Sequence, residues 1–231
     1  MKIPILYEDN HLLIVEKPIN IPVQADNTRD KDLLTLLKQD IKVRYQKPGN
    51  VFLGLVHRLD RPVGGVIVFA KTSKAASRMS DVMRRQAIDR SYLAVVRGGP
   101  DREQAKLEHF LSKNQQENKV YAVPSHHKQA KKALLSYKTL AQTKQLSLLS
   151  VQLQTGRSHQ IRVQLAETGT PIYGDQKYGY HVNQPGQQIA LWAHSLSFEH
   201  PTKKERITVD SLPPREYPWN LWQDVYPNKN R

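Results

Sequence analysis

The chain has 231 residues, 39% of them hydrophobic, and its Lys+Arg 35 against Asp+Glu 21 leave a formal charge of +14. That length and apolar content suit a single domain, or two tightly joined lobes, with a real core, and they argue against disorder. The basic excess points to a polyanion, nucleic acid first, and away from a membrane surface, because the basic residues are spread along the chain and not gathered on one amphipathic helix. Zero cysteines exclude disulfides, thiolate metal sites and cysteine nucleophiles together, and they fit a cytoplasmic location. The opening "MKIPILYEDNHLL" meets charge and Asn too early to read as a signal peptide or a membrane span.

In chain order, "HLLIVEKP" reads as a buried strand stopped by Pro18, and "KDLLTLLKQDIKVRYQ" sets Leu33, Leu34, Leu37 and Ile41 at helical spacing. The run Val66 to Ala70, bordered by Gly64 and Gly65, predicts a fully buried central strand. "TSKAASRMSDVMRRQA" predicts a helix from Thr72 to Ala87, capped by Thr72 or Ser73, with Ala75, Met79, Val82, Met83 and Ala87 on its apolar stripe. "RSYLAVVRG" returns as a strand, and "KALLSYKTLA" with "LSLLSVQLQTG" forms a β-pair joined near "QTKQ". "SHQIRVQLAETG" is a short helix with Ser158 before it and Gly169 as its stop. "QIALWAHSLSFEHP" and "ERITVDSLPP" are strands, and the Pro-rich tail after Leu212 reads as a surface wrap. Short β-β connections outnumber helical crossovers, which predicts an α+β protein, a mostly antiparallel mixed β-sheet flanked by helices and loops.

Asp60 stands between Arg58 and Arg61 in a Gly/Pro-bordered loop at the mouth of the buried strand, where reactive side chains are commonly displayed. A carboxylate so placed can act as nucleophile or base; it can equally form a salt bridge with Arg58 or Arg61 that stabilises a turn. No P-loop or dinucleotide glycine fingerprint is present. His126 and His127 are the only adjacent histidines, but neighbours in sequence rarely share a ligand sphere, so "PSHHKQAKK" reads as a solvated basic loop and not a metal site.

"HRLDRPVGGVIVFAKT", "SYLAVVRG", "QTGRSHQIRVQLAETGTPIYGDQKYG" and "LWAHSLSFEHP" together closely resemble, in order, the motif set of the RluA-type RNA pseudouridine synthase family. The likeness runs from "ILYEDNHLLIVEKP" to "FEHPTKKERITVDSLP". It implies one catalytic domain over residues 1–231, with motifs at about 5–212 and a tail at 213–231, and a pseudouridine synthase fold with a central active-site cleft. The implied activity is isomerisation of uridine in rRNA or tRNA, with no cofactor or metal and no obligatory protein partner, by a monomer. The same resemblance makes Asp60 the essential aspartate, as nucleophile or as the base that starts ribose elimination, with Arg162 as the arginine that pairs with it. Tyr92 matches the tyrosine that stacks on the target base, and Arg58 the arginine beside the flipped nucleotide. His57, Arg157 and His159 are expected to support the RNA backbone or the site, or to stabilise their loops, while Leu191 and His194 lie in the block that lines the uracil pocket in relatives. The chain departs from the family at Val63 and Gly64, where Thr-Ser is commoner, and at Arg90, where Lys is commoner. Asp175, in "YGDQKYG", reads as a loop or turn residue. The alternative from another class is a noncatalytic RNA-binding protein on the same fold, which could dispense with Asp60, Tyr92 and Arg162.

Overall fold

The structure, a computed structural model, describes residues 2–226. Its elements in chain order are β1 (Ile5–Glu8), β2 (Leu12–Lys17), α1 (Leu33–Arg44), β3 (Gly54–Leu55), β4 (Gly64–Ala70), α2 (Ser73–Arg84), β5 (Ile88–Arg97), β6 (Gln104–Asn114), β7 (Lys119–Ala122), β8 (Lys131–Gln142), β9 (Leu146–Leu153), α3 (Gln160–Glu167), β10 (Leu191–Glu199) and β11 (Arg206–Asp210). The class is α+β, as expected. None of the described helices is long and apolar enough to cross a membrane. Met1–Asp89 with Ala193–Ser211 makes one compact unit, and Arg90–Trp192 with Leu212–Arg231 makes the other.

In the first unit β1, β2, β4 and β10 lie side by side in that order, and β11 pairs with β10. β2 runs antiparallel to β4 from Leu12↔Ala70 to Lys17↔Gly65, so the end of "LLIVEK" meets the start of "GGVIVFA". All seven residues of β4 are buried, which is why its apolar run is continuous and not alternating. Thr72 caps α2, its Oγ1 accepting from the Ala75 N–H at 3.1 Å. The stripe then seats Met79 and Val82 against Leu12, Ile14, Val66, Val68 and Phe198. The helix stops at Arg84 and not at Ala87. Gln86 turns left-handed (φ 57), and the Gln86 and Ala87 N–H groups close on the Met83 and Val82 carbonyls. This C-terminal lock releases the chain in time for Ile88 to enter the same core, leaving Ala87 exposed. α1 begins at the Asp32 cap and buries Leu33, Leu37 and Ile41.

The second unit is an antiparallel sheet in the order β5-β9-β8-β6-β7. The expected β8/β9 pair is present, joined through Thr143–Gln145. The β6/β7 hairpin was not foreseen: β6 exposes roughly every second residue, so the apolar period of "QAKLEHFLSKN" is weak although the strand pairs on both sides. α3 lays Val163 against Leu111, Val120 and Ala133. Its first turn differs from expectation. His159 occupies the cap position in a left-handed conformation with no side-chain cap, and Ser158 is exposed. Gly169 is the stop as expected, with φ 76, its N–H on the Ala166 carbonyl and the Thr170 N–H on the Leu165 carbonyl. The tail is anchored more firmly than a surface wrap: Trp219, Trp222 and Tyr226 are buried, and the Tyr226 hydroxyl donates to the Trp219 carbonyl at 2.6 Å. The tail's last residues, 227–231, lie outside the described residues.

Candidate active site

The loop that carries Asp60 joins β3 to β4 in the first unit. Leu59 and Val63 are buried and hold it down, whereas Asp60 is half-buried and Arg58 exposed. The Val63 N–H returns to the Asp60 carbonyl at 3.0 Å and closes a tight turn over Arg61 and Pro62. Neither flanking arginine takes the Asp60 carboxylate. Arg61 points to a neighbouring loop, donating to Thr28 Oγ1 at 2.9 Å and pairing with Asp26 and Asp30, and Arg58 forms no ion pair among the described residues. The local turn-stabilising salt bridge that the sequence permits is therefore not made.

Beneath this loop lies a group that sequence reading passed over. Lys17 is 0% exposed, and its ammonium donates to the carbonyls of Pro18 (2.9 Å), Arg61 (2.9 Å) and Val63 (2.8 Å). All three protons are thereby satisfied, as a buried charge requires, and two of the three tie down the residues that follow Asp60. Burial pushes the Lys17 ammonium down to about 7, opposed by the charge of Asp60. The signal was available: in "LLIVEK" the alternation places Lys17 in one row with Leu13 and Val15, facing inward. His57 is similarly committed, for its Nε2 accepts the Val68 backbone N–H at 3.2 Å, which puts the ring proton on Nδ1. His194 is buried and donates from Nδ1 to the Ser211 carbonyl at 2.8 Å, while Ser211 Oγ donates to Glu16.

In the second unit Arg162, on α3, is held by a buried acid. Its Nε and Nη2 each lie 2.8 Å from an oxygen of Asp175, a bidentate fork with both residues almost fully buried. Asp175 Oδ1 also accepts the N–H groups of Lys177 and Tyr178, so the turn role expected for it and the grip on Arg162 are one arrangement. The guanidinium lies over the Tyr178 ring at 5.2 Å, and the Tyr178 hydroxyl accepts from the Val120 N–H and contacts His159 Nδ1 at 2.6 Å. Asp175 and Tyr178 thus set the rotamer of Arg162. The loop ahead of α3 is shaped by Gln160, whose Oε1 accepts from Thr155 Oγ1 and the Arg157 N–H and whose Nε2 donates to the Leu134 carbonyl. Arg157 itself is exposed and donates to the Lys132 carbonyl.

Tyr92 sits on β5 opposite Val151 and is 7% exposed, and Leu191, at the start of β10, is equally buried. Arg90, two residues before Tyr92, is buried with no partner for its Nε among the described residues. Burial disfavours its charge, with the nearby Tyr92 side chain opposing that effect. A Cβ at Gly156 would stand 2.5 Å from Arg90 Nη1, so the bare backbone there makes room for the guanidinium.

A family model described as RNA pseudouridylate synthase matches residues 11–167, the span that holds the Asp60 loop, β5 and α3. The chain belongs to the RNA pseudouridylate synthase family. Ribosomal large subunit pseudouridine synthase D of Zymomonas mobilis is 31% identical over 222 residues, covering 92% of this chain and 69% of that protein. An uncharacterized RNA pseudouridine synthase of Synechocystis is 32% identical over 223 residues, covering 92% of this chain and 66% of that one. Among solved structures, human RNA Pseudouridylate Synthase Domain Containing 4 superposes with a TM-score of 0.77 at 22% identity, over 92% of this chain and 89% of that one, which establishes the fold. As a member of this family the protein is an RNA pseudouridine synthase, an isomerase acting on RNA.

Proposed function

We propose that this pseudouridine synthase isomerises uridine in ribosomal RNA, with Asp60 as its essential aspartate and Tyr92 and Arg162 as its reacting partners. The single observation that carries the assignment is the state of the Asp60 loop: the carboxylate is half-buried at a tight turn, and buried Lys17 pins the backbone beside it. A reactive acid needs accessibility and a fixed position together, and this loop supplies both. In the reaction the bond from ribose C1′ to uracil N1 breaks and a bond from C1′ to C5 forms. The C5 proton is lost and N1 gains one, so nothing is oxidised and no group is transferred away. Asp60 acts either by attacking the nucleoside or by removing a ribose proton. Tyr92 supplies a flat face for the base and a hydroxyl for the C5 proton. Arg162, whose rotamer Asp175 holds, is the arginine assigned to the catalytic aspartate. Exposed Arg58 fills the space left when the uridine leaves its stack, an extrusion that costs a few kcal/mol.

Ribosomal RNA of the large subunit is the favoured substrate because the Zymomonas relative is named a ribosomal large subunit pseudouridine synthase, with transfer RNA as the second choice. The proposal further takes residues 1–231 as one catalytic domain that works as a monomer, in the cytoplasm, without a cofactor. The deciding experiment incubates purified protein with large-subunit ribosomal RNA and with transfer RNA and counts pseudouridine. Wild type is expected to form it; Asp60→Asn and Asp60→Ala are expected to form none while keeping a cooperative unfolding transition and RNA affinity. Tight RNA binding without product by the wild type would instead make this a noncatalytic RNA-binding protein.

A further inference from the structure

The sheet of the second unit has two faces, and where β6, β8 and β9 lie side by side one of them is left partly open. Tyr92 pairs with Val151, which pairs with Tyr137, and this row belongs to the packed face. One residue along each strand the side chains turn over. There the ladders align two rows, Gln104–Lys138–Ser150 and Lys106–Ser136–Gln152, across β6, β8 and β9. With Arg102 at the entry to β6, these side chains line an open groove of about 580 Å³.

Its composition is one-sided. Three cations, two amides, three hydroxyl-bearing residues and Ala105 line it, and no carboxylate does. Elsewhere many of the basic side chains are already taken by acids, as Arg44, Arg61, Lys71, Arg85, Lys203 and Arg206 are. Arg102, Lys106 and Lys138 form no ion pair among the described residues, and Glu108, the acid next along the same face of β6, is bound to Lys132 at 2.8 Å. Asp101 and Glu103 sit on the preceding turn, outside the groove lining. Unpaired cations on a rigid ladder, interleaved with groups that both donate and accept, match phosphates interleaved with ribose hydroxyls. Tyr137, the one aromatic residue of the lining, is 8% exposed and its hydroxyl donates to the Arg102 carbonyl, so little of its ring is offered for a base to stack on. That favours backbone and shape recognition of a helical segment over reading of single-stranded bases.

We propose that this polar face of β6, β8 and β9, on the side of the sheet away from Tyr92, is a second RNA-docking surface that grips the sugar-phosphate backbone of a double-stranded segment of the substrate. The inference rests on the RNA reading above, and it adds a site that positions substrate without touching the reacting uridine. A local grip of this kind lowers KM and leaves kcat alone.

The test uses the full chain and an RNA hairpin with a stem of about 16 base pairs, long enough to cross two minor grooves. Lys106→Glu/Lys138→Glu is compared with Lys42→Glu/Lys144→Glu, which makes the same change in net charge at exposed lysines elsewhere. The first pair is expected to weaken hairpin binding about tenfold or more and to flatten the log–log salt dependence by roughly 2, one for each lost phosphate contact. It is also expected to raise KM on long RNA without changing kcat, and Lys106→Gln/Lys138→Gln is expected to show the same effects in weaker form. Equal losses in both charge-reversal pairs, an unchanged salt slope in the first, or displacement of the hairpin by poly-glutamate as readily as by RNA would each overturn the proposal. Should the wild type make no pseudouridine yet bind the hairpin through Lys106 and Lys138, the catalytic reading fails and the docking surface stands. Should it make pseudouridine while the first pair binds like wild type, the docking surface alone fails.

Discussion

Arg162 and Asp175, thirteen positions apart, meet in a two-bond fork with both contacts at 2.8 Å, and almost no solvent reaches either partner. Asp175 also closes its own turn by accepting two backbone N–H groups, so one carboxylate fixes both the "YGDQKYG" loop and the arginine of α3. Removing the acid leaves a buried guanidinium uncompensated. Asp175→Ala is therefore expected to lower unfolding free energy by about 3–5 kcal/mol, whereas Arg162→Met/Asp175→Leu costs much less than the sum of its single changes. Urea titrations of the four proteins check this, and strict additivity would refute the coupling.

Lys17 predicts a pH dependence. Its folded value, about 7, lies below the 10.5 of an ordinary lysine. Between those values the unfolded chain holds the extra proton, so the contribution of this group to stability rises with pH from about 7 towards 10, by roughly 1.4 kcal/mol per unit. Lys17→Met lacks this gain. Its stability relative to wild type is expected to be most favourable near pH 6 and to decline steadily by pH 9, as read from denaturant unfolding at each pH. A difference that stays flat across that range would show that burial does not shift the group.

Gly65 has φ 111, and a Cβ there would stand 2.2 Å from the Ala193 carbonyl oxygen. Backbone cannot give way as a side-chain tip can. Gly65→Ala is expected to destabilise by about 3 kcal/mol or more, through strain and overlap together. A melting temperature within a degree or two of wild type would contradict the close approach of β10 to β4.

The tail offers a further check. Trp219 is buried and its carbonyl receives the Tyr226 hydroxyl. Trp219→Ala is expected to cost about 3–5 kcal/mol, while Tyr217→Ala, at an exposed ring, costs far less. Similar melting temperatures for the two variants would return the tail to the surface-wrap reading.

Much of the fold is legible from apolar spacing, because burying one face of a strand or helix leaves a period in the residues themselves. The buried run of β4, the α2 stripe and the Gly169 stop are all of this kind. Where the period is weak the reading falters. β6 alternates charged with half-buried residues and was passed over, and the tail aromatics were too widely spaced to signal anchoring. The end of α2 was read too late because Gln86, not glycine, adopts the left-handed turn.

The amino-acid order alone determined the class of the fold, the run of motifs that places the chain among pseudouridine synthases, and the residues to suspect within them. Tertiary structure decided which polar groups hold which. Lys17 finds carbonyls 44 and 46 positions away, Arg61 turns to Asp26 and Asp30, and Arg162 is clasped by Asp175. Hydrophobic burial is non-directional and additive, so a one-dimensional pattern records it. A buried charge is stable only when every donor and acceptor around it is met at hydrogen-bond distance, and strand register and loop closure alone bring those partners together.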